Sequence, residues 1–280
     1  MKMALLLDID NTLTPPRQQL TQEMAEILKR LSVPFHVAAG SHIELLEDQF
    51  FKPLYRFGFR DRFDAFVSNG AVHYHCDYSD GMSIRLLSQF NIRDYLGESD
   101  YALLMDVLTK TLQRPEFQIG PPLKVLGERI ADRGSMINLC PIGRVVEETS
   151  ESLDNRIEFI GFDLAQNYRQ RVIDHLKREL SSLINDKRLT ITLGGQTSFD
   201  VGVAKQDKAS AVRTLLHNGI KRVVFIGDAL FEGGNDAPIR EFVENWHSTE
   251  PCPLETIQVN SWKDTVEKLY EMGFITESVE

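Results

Sequence analysis

Cysteine is scarce in this sequence, and the positions of its few cysteines exclude a disulfide scaffold. Only three occur among 280 residues, Cys76, Cys140 and Cys252, and none forms a CxxC pair. An odd number of widely separated thiols is typical of a protein from a reducing compartment. We therefore expect a cytoplasmic location.

Long apolar runs and an excess of positive charge are also lacking. The first apolar run, Ala4 to Leu7, breaks at Asp8, which is too early for a signal-peptide core or a membrane span. The formal net charge is -10, so the chain has no basic footprint for nucleic acid or for a membrane surface. We expect neither partner. An anionic substrate would need local arginines, lysines and a metal.

Apolar runs that end in small or polar residues recur near both ends of the chain. Ala4–Leu7 ends at Asp8, Val33–Ala39 at Gly40, and Arg222–Ile226 at Gly227. Such runs are typical of strands buried in a parallel sheet, and their alternation with helices predicts a doubly wound α/β fold. Between about residues 84 and 192 an irregular mixture of helices and short strands appears. We predict a Rossmann-like core from residues 1–83 and 193–280, with an inserted α+β cap domain at 84–192.

Two aspartates, Asp8 and Asp10, follow the first predicted strand in the segment Asp8-Ile9-Asp10-Asn11-Thr12. A carboxylate nucleophile can form an acyl phosphate and split phosphoryl transfer into two steps. A second carboxyl group beside it can protonate the leaving oxygen and deprotonate the next acceptor. The segment matches the DxDxT signature of the haloacid dehalogenase superfamily, with Asp8 as nucleophile and Asp10 as acid and base. Alone, two such acids are more often a solvated loop.

Further residues follow in the order of that superfamily. Ser41 and Lys208 would stabilise the transferring phosphoryl group, since a hydroxyl donor and a cation offset its charge. Asp8 and Asp228, with the main-chain carbonyl of Asp10 and with Asp236 in the Gly233–Asp236 loop, would form a Mg²⁺ site of hard oxygen ligands. Each residue also has an ordinary structural explanation. Ser41 could cap a helix, Lys208 could be a surface lysine, and Asp228 with Asp236 could belong to a polar loop. Together, in this order, they favour a haloacid dehalogenase core.

Longer motifs resemble the eukaryotic-type phosphomannomutases. Residues 8–18 resemble the opening DVDGTLTxPRQ, residues 136–144 resemble MLNVSPIGR, residues 156–159 are RIEF, and residues 194–201 resemble GGQxSFDV. In that family, phosphate moves between C6 and C1 of a hexose through a bisphosphate. The resemblance implies a type IIB cap, a hexose phosphate substrate, Mg²⁺, a hexose 1,6-bisphosphate activator and a homodimer formed through the caps.

The resemblance also implies the substrate-binding residues. Arg17 falls on the core arginine at the substrate, while Ser198 and Asp200 fall on sugar contacts. Guanidinium groups suit phosphate, because their rigid fork binds two oxygens at once. The cap arginines that bind phosphate and sugar would be Arg133, Arg144 and Arg156.

The sequence departs from the family pattern at several points. Asn11 replaces Gly, Ser68 stands where a Glu is expected before Asn69, and His42 follows Ser41 in place of Asp. The stretch Val145–Asn155 is longer than expected, so the role of Arg156 depends on the Ile-Glu-Phe that follows it. A sugar-phosphate phosphatase on the same fold remains the second interpretation, against which the cap arginines argue, and a non-catalytic sugar-phosphate sensor is the third. The choice between mannose and glucose phosphate stays open.

His73-Tyr74-His75-Cys76 allows a metal interpretation, because alternate residues of a strand share a face and imidazole and thiolate bind zinc. The segment supplies only three clustered ligands, and no partner spacing follows downstream. We therefore predict an edge strand there and no zinc site.

Overall fold

The computed structural model describes residues 2–16, 18–145, 149–232 and 234–275. The chain divides into a core unit, Met1–Gln89 with Lys205–Glu280, and an inserted unit, Phe90–Ala204. Both boundaries fall later than predicted, because the strand Ser83–Gln89 pairs in the core sheet and the strand Ser198–Val203 pairs in the inserted one. Within the described ranges, no helix is both long enough and apolar enough to cross a membrane.

The core unit contains a seven-stranded sheet in the order β11-β10-β1-β2-β3-β4-β5. The strands from β11 to β3 run parallel, and β4 and β5 add an antiparallel edge. Their bounds are β1 Met3–Leu7, β2 Phe35–Ala38, β3 Arg62–Val67, β4 Val72–Asp77, β5 Ser83–Gln89, β10 Arg222–Gly227 and β11 Leu254–Gln258.

Strand β1 lies at the centre of this sheet and explains where the polar residues gather. Ala4 to Leu7 are fully buried, and since successive side chains point to opposite faces, both faces of β1 are covered. Leu7 is in register with Val37 of β2 and Ile226 of β10. Parallel strands that end together bring the residues after them to one edge of the sheet. The predicted parallel α/β core is confirmed.

The core helices are α1 Gln22–Lys29, α2 Ile43–Leu46, α3 Lys52–Arg56, α9 Ala209–His217, α10 Ala237–Glu244 and α11 Trp262–Glu271. Thr21 caps α1 by accepting from the amide of Met24. A π-helical turn, Glu47–Phe51, joins α2 to α3 and buries Gln49 with its neighbours Phe50 and Phe51. π-Helical turns of this kind are frequent at functional sites.

The inserted unit is an α+β structure around a four-stranded antiparallel sheet in the order β6-β7-β9-β8. A compact apolar core that includes Leu104, Phe159 and Phe199 packs its helices on the sheet. The strands are β6 Glu128–Asp132, β7 Ile137–Arg144, β8 Leu189–Gly194 and β9 Ser198–Val203. The helices are α4 Ile92–Leu96, α5 Glu98–Gln113, α6 Ser150–Gln166, α7 Tyr168–Glu179 and α8 Ser181–Lys187, with a 3₁₀ turn at Pro115–Phe117.

One sequence expectation about an element is wrong, and one helix was not predicted. The segment His73 to Cys76 belongs to β4, which pairs with β3 on one side and β5 on the other, so it is not an edge strand. The long stretch after Arg144 leads into α6, which the sequence did not predict. Its start is fixed by Thr149 and Ser152, whose side chains cap each other's amides.

Candidate active site

A fully buried ion triad lies at the carboxyl edge of the core sheet. Lys208, which precedes α9 and is 0% exposed, donates its ammonium to Oδ1 of Asp8 and, at 2.5 Å, to Oδ1 of Asp236. The other oxygen of Asp236 accepts from the amide of Ala229 at 3.1 Å. A buried charge is costly unless it is paired, so this arrangement fixes all three side chains.

Asp228, which directly follows β10, brings a third carboxylate to the group. Ligand atoms of Asp8, Asp228 and Asp236 all lie within 4.8 Å of one another. Three carboxylates and the ammonium of Lys208 together carry a formal charge of -2. Hard oxygen ligands with two uncompensated negative charges suit a divalent cation such as Mg²⁺, so these residues fit the metal that the motif predicts.

The pKa values of Asp8 and Lys208 are both shifted in this buried group. Burial raises the pKa of Asp8 to about 7, with help from Asp236 and Asp228 and against the pull of Lys208. Burial also acts to lower the pKa of Lys208, but the two carboxylates outweigh it and the pKa is raised. Lys208 therefore stays an ammonium, whereas Asp8 needs further positive charge nearby to remain an anion at neutral pH.

Asp10 is held by a residue that the motif did not predict. Gln49, 5% exposed in the π-helical turn, donates its side-chain amide to Oδ1 of Asp10 at 2.6 Å and to Oγ1 of Thr14 at 3.0 Å. Thr14 in turn donates to the carbonyl of Ile9 at 3.3 Å. The sequence carries no clear signal for Gln49, which follows Glu47 and Asp48 and precedes two phenylalanines, because a π-helical turn breaks the regular helical period.

The loop that carries Ser41 meets two other loops at the same edge. The carbonyl of Ser41 accepts from the amide of Ser68 at 2.9 Å. A Cβ added to Gly40 would lie 3.2 Å from Oδ1 of Asn69 and 3.4 Å from Nδ2 of Asn235, so the loops after β2, β3 and β10 are in close contact. Arg17 and Gly233 lie outside the described residues. The role of Ser41 at phosphate stays a prediction.

In the inserted unit, two predicted residues, Arg144 and Asp200, form a polar group with Asn138 on β7 and β9. Nε of Arg144 donates to Oδ1 of Asn138 at 2.9 Å, and Nδ2 of Asn138 donates to Oδ1 of Asp200 at 2.6 Å. Asn138 and Asp200 are direct cross-strand partners. Burial lowers the pKa of Arg133, the nearby charge of Arg144 lowers it further, and Asp200 opposes both. Arg133 therefore lies close enough to Arg144 and Asp200 for both charges to affect its pKa. Asn138 is a further residue that the sequence reading missed.

A cleft of about 160 Å³ in the inserted unit contains Arg144 and Arg156. Nε of Arg156 donates to Oε1 of Gln196 at 3.2 Å. Ser198 is buried and donates to the carbonyl of Gly194 at 2.6 Å, which leaves only its lone pairs for a ligand. Among the described residues that line this cleft, Thr197, Ser152 and Asn155 also have polar groups, beside the guanidinium groups of Arg144 and Arg156.

The two histidines and the cysteine of the His73–Cys76 segment lie on opposite faces of β4. His73 and His75 face Asp64 of β3, at 3.5 Å and 2.8 Å, while Cys76 is fully buried and, as the next residue of the strand, points to the other face. In the part of the chain that the structure describes, the acidic trio at Asp8 is the group of side chains with metal-binding spacing.

Solved structures of other proteins share this fold. Inosine-monophosphate-bound IMP-nucleotidase from Plasmodium falciparum superposes with a TM-score of 0.56 at 15% identity, covering 96% of this chain and 68% of that one. A phosphatase of the haloalkanoate (HAD) superfamily from Bacteroides thetaiotaomicron gives 0.54 at 15% identity, covering 98% and 96%. The core unit thus has the Rossmann-like fold of these structures.

Sequence relatives are closer. Phosphomannomutase from Triticum aestivum is 32% identical over 255 residues, covering 90% of this chain and 92% of that protein. Phosphomannomutase 1 from Homo sapiens is 32% identical over 260 residues, covering 90% and 88%. The sequence profile described as eukaryotic phosphomannomutase matches residues 21–272. The chain therefore belongs to the eukaryotic phosphomannomutase family.

Proposed function

We propose that the enzyme interconverts mannose 6-phosphate and mannose 1-phosphate through an aspartyl phosphate on Asp8 and a hexose bisphosphate. The family and the names of its relatives support the substrate. The observation that carries the mechanism is the presence of two separate groups, one suited to a divalent cation that would attract phosphate and one suited to phosphate directly. One is the carboxylate group with Lys208 in the core unit, and the other is the Arg144–Arg156 cleft in the inserted unit.

In the first half of the cycle, a carboxylate oxygen of Asp8 attacks phosphorus and the bond from phosphorus to the leaving oxygen breaks. Asp10 gives its proton to that oxygen, so no free alkoxide forms. In the second half, Asp10 takes a proton from the sugar hydroxyl that attacks the aspartyl phosphate. When bound, Mg²⁺ would be held by Asp8, Asp228, Asp236 and the carbonyl of Asp10 and would offset the repulsion between carboxylate and phosphate.

Lys208 and Ser41 are proposed to stabilise the charge that spreads over the phosphoryl oxygens. The buried contact with Asp8 keeps the Lys208 ammonium beside the nucleophile, where a fixed cation stabilises the transition state without reorganisation. The hydroxyl of Ser41 would donate to the same phosphoryl group, and Arg17 would bind substrate on the core side.

Arg133, Arg144 and Arg156 are proposed to bind the phosphate that is not reacting, with Asp200 and Ser198 at the sugar. Asn138 holds Arg144 and Asp200 in one hydrogen-bonded chain, so the guanidinium that binds phosphate is fixed relative to the carboxylate that binds sugar hydroxyls. A mutase needs this second site because the intermediate carries two phosphates.

The remaining expectations belong to the same proposal. Hexose 1,6-bisphosphate would act as activator by phosphorylating Asp8, and the enzyme would form a homodimer through the inserted units. The three cysteines are free thiols, which supports a reducing, cytoplasmic location.

Trapping with beryllium fluoride and Mg²⁺ tests the site directly. We expect the phosphate mimic on Asp8, within hydrogen-bond distance of Lys208 and Ser41. A mimic bound to any other residue would remove Asp8 as the nucleophile.

A further inference from the structure

Asn11 occupies the position where the opening motif of the phosphomannomutase family has Gly. Its side chain makes two hydrogen bonds that Gly could not make. Its backbone is left-handed, with φ of 58°, a conformation that Asn tolerates better than most residues other than Gly. Its Nδ2 donates to Oδ2 of Asp228 at 3.0 Å and to the carbonyl of Asn260 at 3.2 Å. A glycine would fit the same backbone and make neither contact.

Asp228 is the carboxylate of the acidic trio that Lys208 does not contact. Lys208 joins Asp8 to Asp236, whereas the carboxylate of Asp228 is partly exposed and receives the Asn11 amide. The main-chain carbonyl of Asp228 accepts from the side-chain amide of Gln258, which fixes the backbone and not the carboxylate. The contact with Asn11 therefore restricts how the Asp228 carboxylate can rotate.

The second contact of Asn11 extends this support to the start of α11. Asn260 donates from its amide and from Nδ2 to Oδ2 of Asp264, at 2.9 Å and 3.1 Å. Asp264 lies in the first turn of α11, whose N-terminus Ser261 caps. Asn11 thus links Asp228 to a loop that is itself anchored on a helix, which makes its amide a firm donor.

We propose that Asn11 is a positioning residue that orients Asp228 to bind a divalent cation. A carboxylate offers about four lone-pair sites, so one N–H···O contact leaves room for a metal. Partners of this kind fix the ligand before the metal arrives, and their loss typically weakens metal binding by about 10- to 100-fold. The inference rests on the proposed function only in assigning the cation to Asp8, Asp228 and Asp236.

The test compares Mn²⁺ binding to the full-length enzyme and its variants. Mn²⁺ takes the same octahedral oxygen sites as Mg²⁺, and the unbound ion is counted by electron paramagnetic resonance, with Mg²⁺ competition giving the affinity for Mg²⁺. Asn11→Gly removes the amide at a backbone angle that Gly adopts freely. Asn167→Gly, at φ of 48° in the inserted unit, is the matched control for exchanging a left-handed Asn. Asp228→Asn identifies the site.

We expect Asn11→Gly to raise the Mn²⁺ dissociation constant by about 10- to 100-fold and Asn167→Gly to leave it unchanged. Melting temperatures without metal should show both variants folded. An affinity of Asn11→Gly within twofold of the unmodified enzyme would overturn the inference, as would an affinity unaffected by Asp228→Asn. If Asn11→Gly weakens Mn²⁺ binding but the unmodified enzyme isomerises no hexose phosphate, the proposed function fails and the positioning role stands.

Discussion

Gln49 donates its side-chain amide to Oδ1 of Asp10 at 2.6 Å, from a π-helical turn in which it is almost completely buried. Because Oδ1 accepts this bond, a proton carried by Asp10 resides on Oδ2. The contact with Thr14 at 3.0 Å holds the amide in place. Gln49 therefore sets both the orientation of the proposed acid and the oxygen that carries its proton.

Replacing Gln49 with Met keeps the length and burial of the side chain but removes the donor. We expect turnover of a hexose phosphate to fall by roughly 10- to 100-fold, a part of what general acid catalysis contributes. The first-turnover release of 4-nitrophenol from 4-nitrophenyl phosphate should change little, since this leaving group needs no proton from Asp10. Gln19→Met, at an exposed position, is the control. An equal loss with both substrates would show that Gln49 supports the fold and not the acid.

Arg144→Ala tests the second phosphate site. Loss of a charge-assisted contact should weaken binding of the bisphosphate by about 1.5 to 3 kcal/mol, a factor of roughly 10 to 150. Mutase flux should fall by at least that factor. Release of free phosphate per phosphoenzyme should rise, because water becomes the acceptor once the intermediate leaves. Arg178→Ala, on the exposed side of α7, should affect neither. Full isomerisation by Arg144→Ala would contradict the proposed role.

Lys208→Met tests the buried ion triad through stability. Removing the ammonium leaves the Asp8 and Asp236 carboxylates buried without their partner, which should lower the free energy of unfolding by about 3 to 5 kcal/mol at neutral pH. Urea unfolding measures this, with the exposed Lys221→Met as control. Without the cation, folding favours protonated carboxyls, so lowering the pH towards 5 should restore part of the loss. A loss no larger than that of Lys221→Met would contradict a buried triad.

The pH dependence of the free energy of unfolding should show the titration of His36. Burial lowers its pKa from 6.5 to about 4, with His73, His75 and Lys2 adding to the shift and Asp64 opposing it. Its Nδ1 accepts from the amide of Asp64 at 3.0 Å, a bond that protonation there would break. A histidine with a depressed folded pKa stabilises the fold fully above pH 6.5, and this contribution is lost as the pH falls from 6.5 towards 4.

Between pH 7 and pH 5, this group alone should lower the free energy of unfolding by about 2 kcal/mol. His36→Asn keeps an acceptor near the Asp64 amide and removes the titration, so its stability should fall less over the same range. Urea unfolding at the two pH values checks this, with the exposed His217→Asn as control. Identical pH profiles for His36→Asn and the unmodified enzyme would exclude His36 as the source.

The sequence was sufficient to predict where several candidate site residues lie, whereas their catalytic roles stay predictions. Asp8, Ser41 and Asp228 each follow an apolar run, and parallel strands that end together must bring such residues to one edge. Lys208 could be predicted only from the order of the superfamily motifs, because the sequence around it does not show that it is buried between two acids. The metal site and the roles of the substrate arginines stay predictions.

The rest depended on tertiary geometry. Gln49 reaches Asp10 only because a π-helical turn widens the helix there, and no period in the sequence records an inserted residue of that kind. Asn138 joins Arg144 to Asp200 through cross-strand register, which one strand's sequence does not contain. The unit boundaries lie later than predicted because the pairing of β5 and β9 assigns each strand to its sheet, and the sequence of one strand does not record its pairing partner.

The most direct test of mutase chemistry is a product analysis of the unmodified enzyme with Mg²⁺ and a catalytic amount of hexose bisphosphate. Mannose 1-phosphate and glucose 1-phosphate are supplied separately, and the 6-phosphate isomer and free phosphate are measured together. We expect mannose 6-phosphate to exceed free phosphate from the start, and Asp8→Asn to give neither product while remaining folded. Free phosphate as the sole product from every hexose phosphate tried would contradict the mutase assignment and identify a phosphatase.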